Sequence, residues 1–304
     1  MPIVRKLIYI MGCANCGSTL LTRFLARHSQ IATVGELKMS AIPDYRNYQC
    51  GCGSELLECS FWKQVARACM EDGIALDFGN FGTHYRTTRH LADRIVAARV
   101  FTPGLEALRQ ATIICWPPAA RTLARINRKN EVVIEKICEV LERPVFLDDS
   151  KDPTRIMHLF RSGSYDIRAI YLVRDGRSII ASYKKRDPDM IANIQLWEDK
   201  IRECENLRKG LPNLNLLEVR FEDFCSDSRR VLADIFDFCG LDDQSEHCLA
   251  PNGQHLQHII GHNSRLQTET PVELRKEWPK LLTSRDLASF EIRGRDLNAF
   301  YNYV

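Results

Sequence analysis

Residues 4–19 read VRKLIYIMGCANCGST, and this stretch decides the fold. Its apolar run from Leu7 to Met11 is too short to span a bilayer and stops at Gly12, as a buried strand does. Ser18, Leu20, Leu21, Phe24 and Leu25 then follow with helical spacing, which predicts a helix over 18–28. Between strand and helix lies GCANCGST, with glycines at 12 and 17. Gly-x4-Gly in that position is the spacing of a P-loop, where backbone N–H groups and a helix N-terminus cradle an anion. Gly17 would let the backbone approach an oxyanion, and the Ser18 and Thr19 hydroxyls would donate to it. A nucleotide triphosphatase would carry lysine at 18, where this chain has serine, and no evident magnesium-binding aspartate follows. The loop therefore predicts anion binding and argues against ATP hydrolysis. A tight turn without a ligand is the plain alternative.

Outward from this unit, strands are predicted at 31–34, 145–147, 167–173 and 214–219. Helices are predicted at 61–70, 90–100, 121–142 after a break at Pro117-Pro118, 153–161, 176–185, 190–207 and 229–238. Strands alternating with helices indicate an α/β fold: a P-loop-like, three-layer arrangement with a central parallel sheet flanked by helices. No linker, repeat or low-complexity segment interrupts residues 1–304, so one domain is expected. Beyond 240 the pattern weakens into turns and short helices.

A formal charge of +3 excludes a nucleic-acid surface built on global charge, and no run of 18 apolar residues exists. Twelve cysteines are many, but a chain this long needs no disulfides, and a cytoplasmic setting is the expectation. Cys50, Cys52 and Cys59 cluster as C-x-C-x6-C, with Cys69 nearby. Zinc, a local disulfide and free thiols are all open for them.

The second informative stretch is IYLVRDGRSIIASYKKR, residues 170–186. A strand ends by presenting Arg174, and the following helix carries Ser178, Ser182 and Tyr183. A guanidinium fork at the carboxyl end of a strand, with a hydroxyl folded back beside it, suits a phosphate. The plain alternative is an ion pair between Arg174 and Asp175 at the helix start.

The loop ending in CGSTLLTRFL, the VRDGR-x4-S segment and their order resemble the sulfotransferases that use 3′-phosphoadenosine 5′-phosphosulfate (PAPS). The resemblance implies that Asn15, Cys16, Gly17, Ser18, Thr19 and Leu20 belong to a 5′-phosphosulfate site. It implies that Arg174 and Ser182 hold the 3′-phosphate. SKDP, residues 150–153, is similar to the NKDP segment of tyrosylprotein sulfotransferases, which implies that Lys151 stabilises charge on the transferring group. VGEL, residues 34–37, places Glu36 where relatives keep a glutamate base. CGCGSELLECSFW resembles a cysteine-rich insert of a bacterial branch, and EVRFEDF a segment that supports the adenine side. Asn15 departs from relatives that carry lysine or arginine there, which leaves more of the charge stabilisation to Lys151.

The implied reaction is in-line sulfuryl transfer to a hydroxyl or amine, with Glu36 as base, 3′-phosphoadenosine 5′-phosphate (PAP) as product and no required metal. His28, His84, His90 and His158 are the substitutes for the base. Arg265, in HIIGHNSR, is the candidate for a basic segment over the 3′-phosphate. The acceptor, a small molecule or a glycan, is not readable, and neither is the oligomeric state. A P-loop kinase and a non-catalytic nucleotide- or zinc-binding module are the rival readings.

Overall fold

The structure, a computed structural model, describes residues 5–38, 45–85, 88–251, 260, 266, 272–274 and 276–303. Strands β1 (Arg5–Gly12), β2 (Ile31–Thr33), β3 (Val145–Asp148), β4 (Tyr165–Val173) and β5 (Asn215–Arg220) form one five-stranded sheet in the order β2-β3-β1-β4-β5. Every neighbouring pair runs parallel. The five predicted strands are all present.

Parallel sheets bury both faces, and the alternation along the central strands shows how this sequence does it. Leu7, Tyr9 and Met11 of β1 enter one apolar layer, while Ile8 and Ile10 enter the other. On β4, Ala169, Tyr171 and Val173 take the first side, and Ile170 and Leu172 the second. The second layer is closed by α1 (Ser18–Leu25), through Leu21, Phe24 and Leu25.

Three further helices lie between β2 and the longest one: α2 (Ser60–Glu71), α3 (Leu91–Val96) and α4 (Pro103–Cys115). The long helix α5 (Pro117–Val140) lays Val132, Val133, Ile134 and Ile137 on the first layer, where α2 adds Phe61, Trp62 and Val65. Here the sequence reading needs correction. The break falls at Trp116, and the two prolines are the first turn of α5 itself, which begins at 117 and not at 121. Their missing N–H groups would have no intrahelical partner there, so proline costs nothing. Helix α4, ending two residues earlier, was not anticipated.

The remaining helices follow as α6 (Pro153–Ser162), α7 (Gly176–Lys184), α8 (Met190–Gly210), α9 (Phe221–Ser226), α10 (Ser228–Cys239) and α11 (Ser245–Leu249). Three more, α12 (Trp278–Leu281), α13 (Ser284–Arg293) and α14 (Arg295–Phe300), complete the described chain. Among the described residues, no helix is long and apolar enough to cross a membrane.

From β1 the chain crosses to β2 on one side of the sheet, and from β4 it goes to β5 on the other. The switch point therefore falls between β1 and β4, where open α/β sheets form a crevice at the carboxyl ends of their strands. Gly12 and Arg174 leave the sheet at that crevice.

Candidate functional site

The loop after β1 is shaped by three backbone constraints. Gly12 has φ 150, and a Cβ there would lie 2.5 Å from the carbonyl oxygen of Leu172. Asn15 is left-handed at φ 64, a conformation that asparagine tolerates better than most residues. Gly17, at φ 98, precedes α1. A Cβ on Gly17 would stand 2.2 Å from the Phe221 ring. The glycine thus admits an aromatic ring from the start of α9, a packing role that its spacing alone did not reveal.

Cys16 is buried at the centre of the loop. Burial raises its thiol above the ordinary range, against the opposing pull of Lys151, the Ser18 N–H and the Arg174 guanidinium. Both predicted cations therefore lie close enough to this sulfur to be felt. Ser18 is buried, whereas Thr19 and Leu20 are partly exposed, Leu20 resting against the second apolar layer.

Glu36 follows β2, and Lys151 follows β3, so the parallel pairing of these strands carries both to one edge. Lys151 Nζ donates to Glu36 Oε1 at 2.9 Å and to the Asp149 carbonyl oxygen at 2.7 Å. The Asp149 carboxylate is 4.0 Å away. Burial disfavours the ammonium charge, but Asp149 and Glu36 outweigh it and hold Lys151 above the ordinary lysine range. Lys151 is also left-handed, at φ 56, a rare state for a long side chain that is costly unless its surroundings enforce it. Its N–H donates to the Ile10 carbonyl at 3.2 Å, which ties this turn to β1.

Asp149 was not singled out from the sequence, although it directly precedes SKDP. It is 1% exposed, accepts from Thr22 Oγ1 at 3.1 Å, and has one carboxylate oxygen without a hydrogen-bond partner. Burial raises its pKa to about 6, against the pull of Lys151. The acid thus links α1, the Lys151 turn and Glu36 into one charged cluster.

Arg174 leaves β4 toward the same loop. Its Nη1 donates to the Asn15 carbonyl at 2.8 Å, and its guanidinium lies over the Phe221 ring at 4.6 Å. The ion pair anticipated as the plain alternative belongs to Arg177 instead, which grips both oxygens of Asp175. Arg174 Nε and Asn15 Nδ2 are both buried donors without partners. Two unanswered buried donors, on residues that touch each other where β1 and β4 end, fit an oxyanion-bearing ligand.

Ser182 shares a cavity of about 180 Å³ with Arg174, Ser178, Glu277, Trp278 and Leu281. Its hydroxyl donates to the Ser178 carbonyl at 3.0 Å, inside its own helix. The far wall, Glu277 and Trp278, comes from the late segment where the sequence pattern weakens into turns and short helices. Glu277 brings negative charge toward a candidate phosphate site, partly offset by Lys185 at 2.8 Å.

Three of the four substitute bases are placed elsewhere. His28 is held between the Asp242 carbonyl and the Gln30 N–H, and His158 against the Val96 carbonyl. Burial lowers both, His158 to about 4. His90 caps α3 at the exposed surface. Arg265 lies outside the described residues. One residue of its segment is described: Ile260 pairs in parallel with Gly35, and its N–H donates to Val34 at 2.7 Å, beside Glu36.

A family model described as "Sulfotransferase family" matches residues 156–245, less than a third of the chain. The match takes in β4, α7 and the Arg174 turn but neither the loop at 12–19 nor Lys151. Among solved structures, the sulfotransferase domain of the olefin synthase from Synechococcus PCC 7002 is similar at a TM-score of 0.55 and 20% identity. That alignment covers 99% of this chain and 96% of the other. The sulfotransferase domain from the curacin biosynthetic pathway aligns at a TM-score of 0.50 and 17% identity, covering 95% and 97%. At these identities the likeness is one of fold. No curated protein matches the sequence.

Proposed function

We propose that this chain, which has the fold of sulfotransferase domains and matches their family model in part, transfers a sulfuryl group from PAPS to a hydroxyl or amine of a small molecule or glycan. One observation carries the reading most: Arg174 reaches from the Ser182 cavity to the Asn15 carbonyl, so two anion-type sites adjoin on one crevice. A donor with phosphate groups at both ends of a ribose needs such a pair.

Glu36 takes the proton of the acceptor hydroxyl while its oxygen attacks sulfur. The bond from sulfur to the bridging oxygen breaks, and its electron pair leaves with PAP. Lys151 moves from Glu36 to the leaving oxygens, which frees the carboxylate as base at the moment charge develops. Asp149, with its carboxylate 4.0 Å from the ammonium, keeps Lys151 near the loop. Thr19, Ser18 and the first-turn N–H groups of α1 meet the 5′ phosphate, as a helix N-terminus does. Arg174 and Ser182 meet the 3′ phosphate.

The kinase reading is weaker because Asp149, the acid at the end of the strand beside β1, is already engaged by Lys151 and Thr22. Titration calorimetry with PAP, ATP and AMP, with and without magnesium, separates the readings. The expected result is micromolar, magnesium-independent PAP binding, weakened roughly 10- to 150-fold in Arg174→Ala by loss of a charge-assisted hydrogen bond. Tight magnesium-dependent ATP binding, or no nucleotide binding at all, overturns the proposal.

A further inference from the structure

Away from the crevice, Cys50, Cys52 and Cys59 converge. Their sulfur atoms all lie within 4.8 Å of one another, with Cys52–Cys59 at 3.7 Å and Cys59–Cys50 at 3.8 Å. They are the only group of three or more such ligating side chains among the described residues. We infer that these three thiols form a binding site for a soft metal ion, zinc in the first instance, with a fourth position open at the Cys52 side.

The distances favour this. Zinc bound at about 2.3 Å to tetrahedrally placed sulfurs holds them about 3.8 Å apart. Two of the three separations already have that value. The surrounding backbone is built to point the sulfurs inward. Residues 48–56 form a tight reversal in which Cys50 N donates to Ser54, Gly53 N to Cys50 and Leu56 N to Tyr48, each at 2.8–2.9 Å. Gln49 and Glu55 pair across it. Gly53 takes φ 89, where a side chain would be strained, and this turns the chain between the second cysteine and Ser54.

Cys59 is further placed as the N-cap of α2, where the partial positive charge of a 12-residue helix favours an anion. Cys50 and Cys59 are buried and Cys52 is partly exposed, so a water or exogenous ligand can enter only from the Cys52 edge.

Soft thiolate sets select zinc or copper(I) over hard cations. Zinc would release the thiol protons to solvent and change no oxidation state. Its role would be structural. The knot fastens the loop before α2, whose Trp62 packs on Phe81, and nearby Thr83 donates to the Leu37 carbonyl at 2.6 Å, one residue past Glu36.

The test uses the whole chain, purified without a polyhistidine tag. Elemental analysis should find about one zinc per chain, and cobalt(II) added to the metal-free protein should give thiolate-to-metal charge-transfer absorption. Cys52→Ser and Cys59→Ala should weaken cobalt binding by at least the roughly 10- to 100-fold that loss of a mere outer-shell partner costs. Cys115→Ser, at an exposed cysteine, should leave it unchanged. Wild-type protein that takes up neither zinc nor cobalt overturns the inference, whatever the variants do. So does cobalt absorption that survives in both cluster variants, or an intact mass showing the cluster oxidised to a disulfide.

Discussion

Lys151 and Glu36 meet through a 2.9 Å hydrogen bond although 115 positions separate them in the chain. The pairing of β2 with β3 brings their turns together, and the left-handed backbone at Lys151 aims the ammonium back toward Glu36. A base and a cation so joined must part for the proposed chemistry to run.

Replacing Lys151 by alanine is therefore expected to lower turnover by roughly a hundred- to a thousand-fold, the usual cost of one preorganised charge-stabilising donor. PAP binding should stay measurable, because Arg174 and the loop remain. Glu36→Gln should lower turnover too, with little change in PAP affinity. Steady-state rates with an accepted substrate, set beside PAP calorimetry, check both. Near-wild-type turnover in Lys151→Ala removes the lysine from the mechanism, and an unchanged rate in Glu36→Gln removes the base.

Asp149 makes a pH prediction whose sign is definite. Its carboxyl titrates near 3.9 in an unfolded chain and at about 6 in the native one. Between those values the native state binds more protons, so this group lowers stability as pH rises from about 4 to 6, by on the order of 2–3 kcal/mol at most. Asp149→Asn should remove that fall while its amide keeps a partner for Thr22. Urea unfolding of both proteins at several pH values across this window checks it. Parallel stability profiles would mean that Asp149 is not the titrating group.

Gly17 is predicted to resist substitution for a packing reason. Alanine there would force its Cβ into the Phe221 ring and hold a left-handed φ, at a cost of at least about 1–3 kcal/mol. The penalty should shrink when Phe221 is also truncated to alanine. A double-mutant cycle on unfolding midpoints measures the difference. Simple additivity of the two changes would clear the ring of blame.

Much of the crevice was legible in the primary structure because its parts are local. Strand, glycine-spaced loop and helix occupy consecutive residues, and so do β4, Arg174 and α7. The near-continuous apolar runs of β1 and β4 marked buried strands, because a parallel strand is covered on both faces. The Pro117-Pro118 pair misled because proline both breaks helices and begins them, and only the hydrogen bonds around it distinguish the two.

Reading along the chain supplied most of the inventory: the five strands, most of the long helices, and which of their ends carry an anion loop, a carboxylate, a lysine and an arginine. Tertiary structure decided who meets whom. Asp149 became part of the cluster only because β3 lies beside β1, which places its carboxylate under Thr22 and Lys151. Phe221 became the wall between Gly17 and Arg174, and Trp278 the side of the Ser182 cavity, through contacts that span tens to hundreds of positions. The three cysteines were visible as a cluster, but their convergence on one point depended on the turn at Gly53 and the start of α2. Local periodicity is set by neighbours along the chain, whereas a site is set by distances across it.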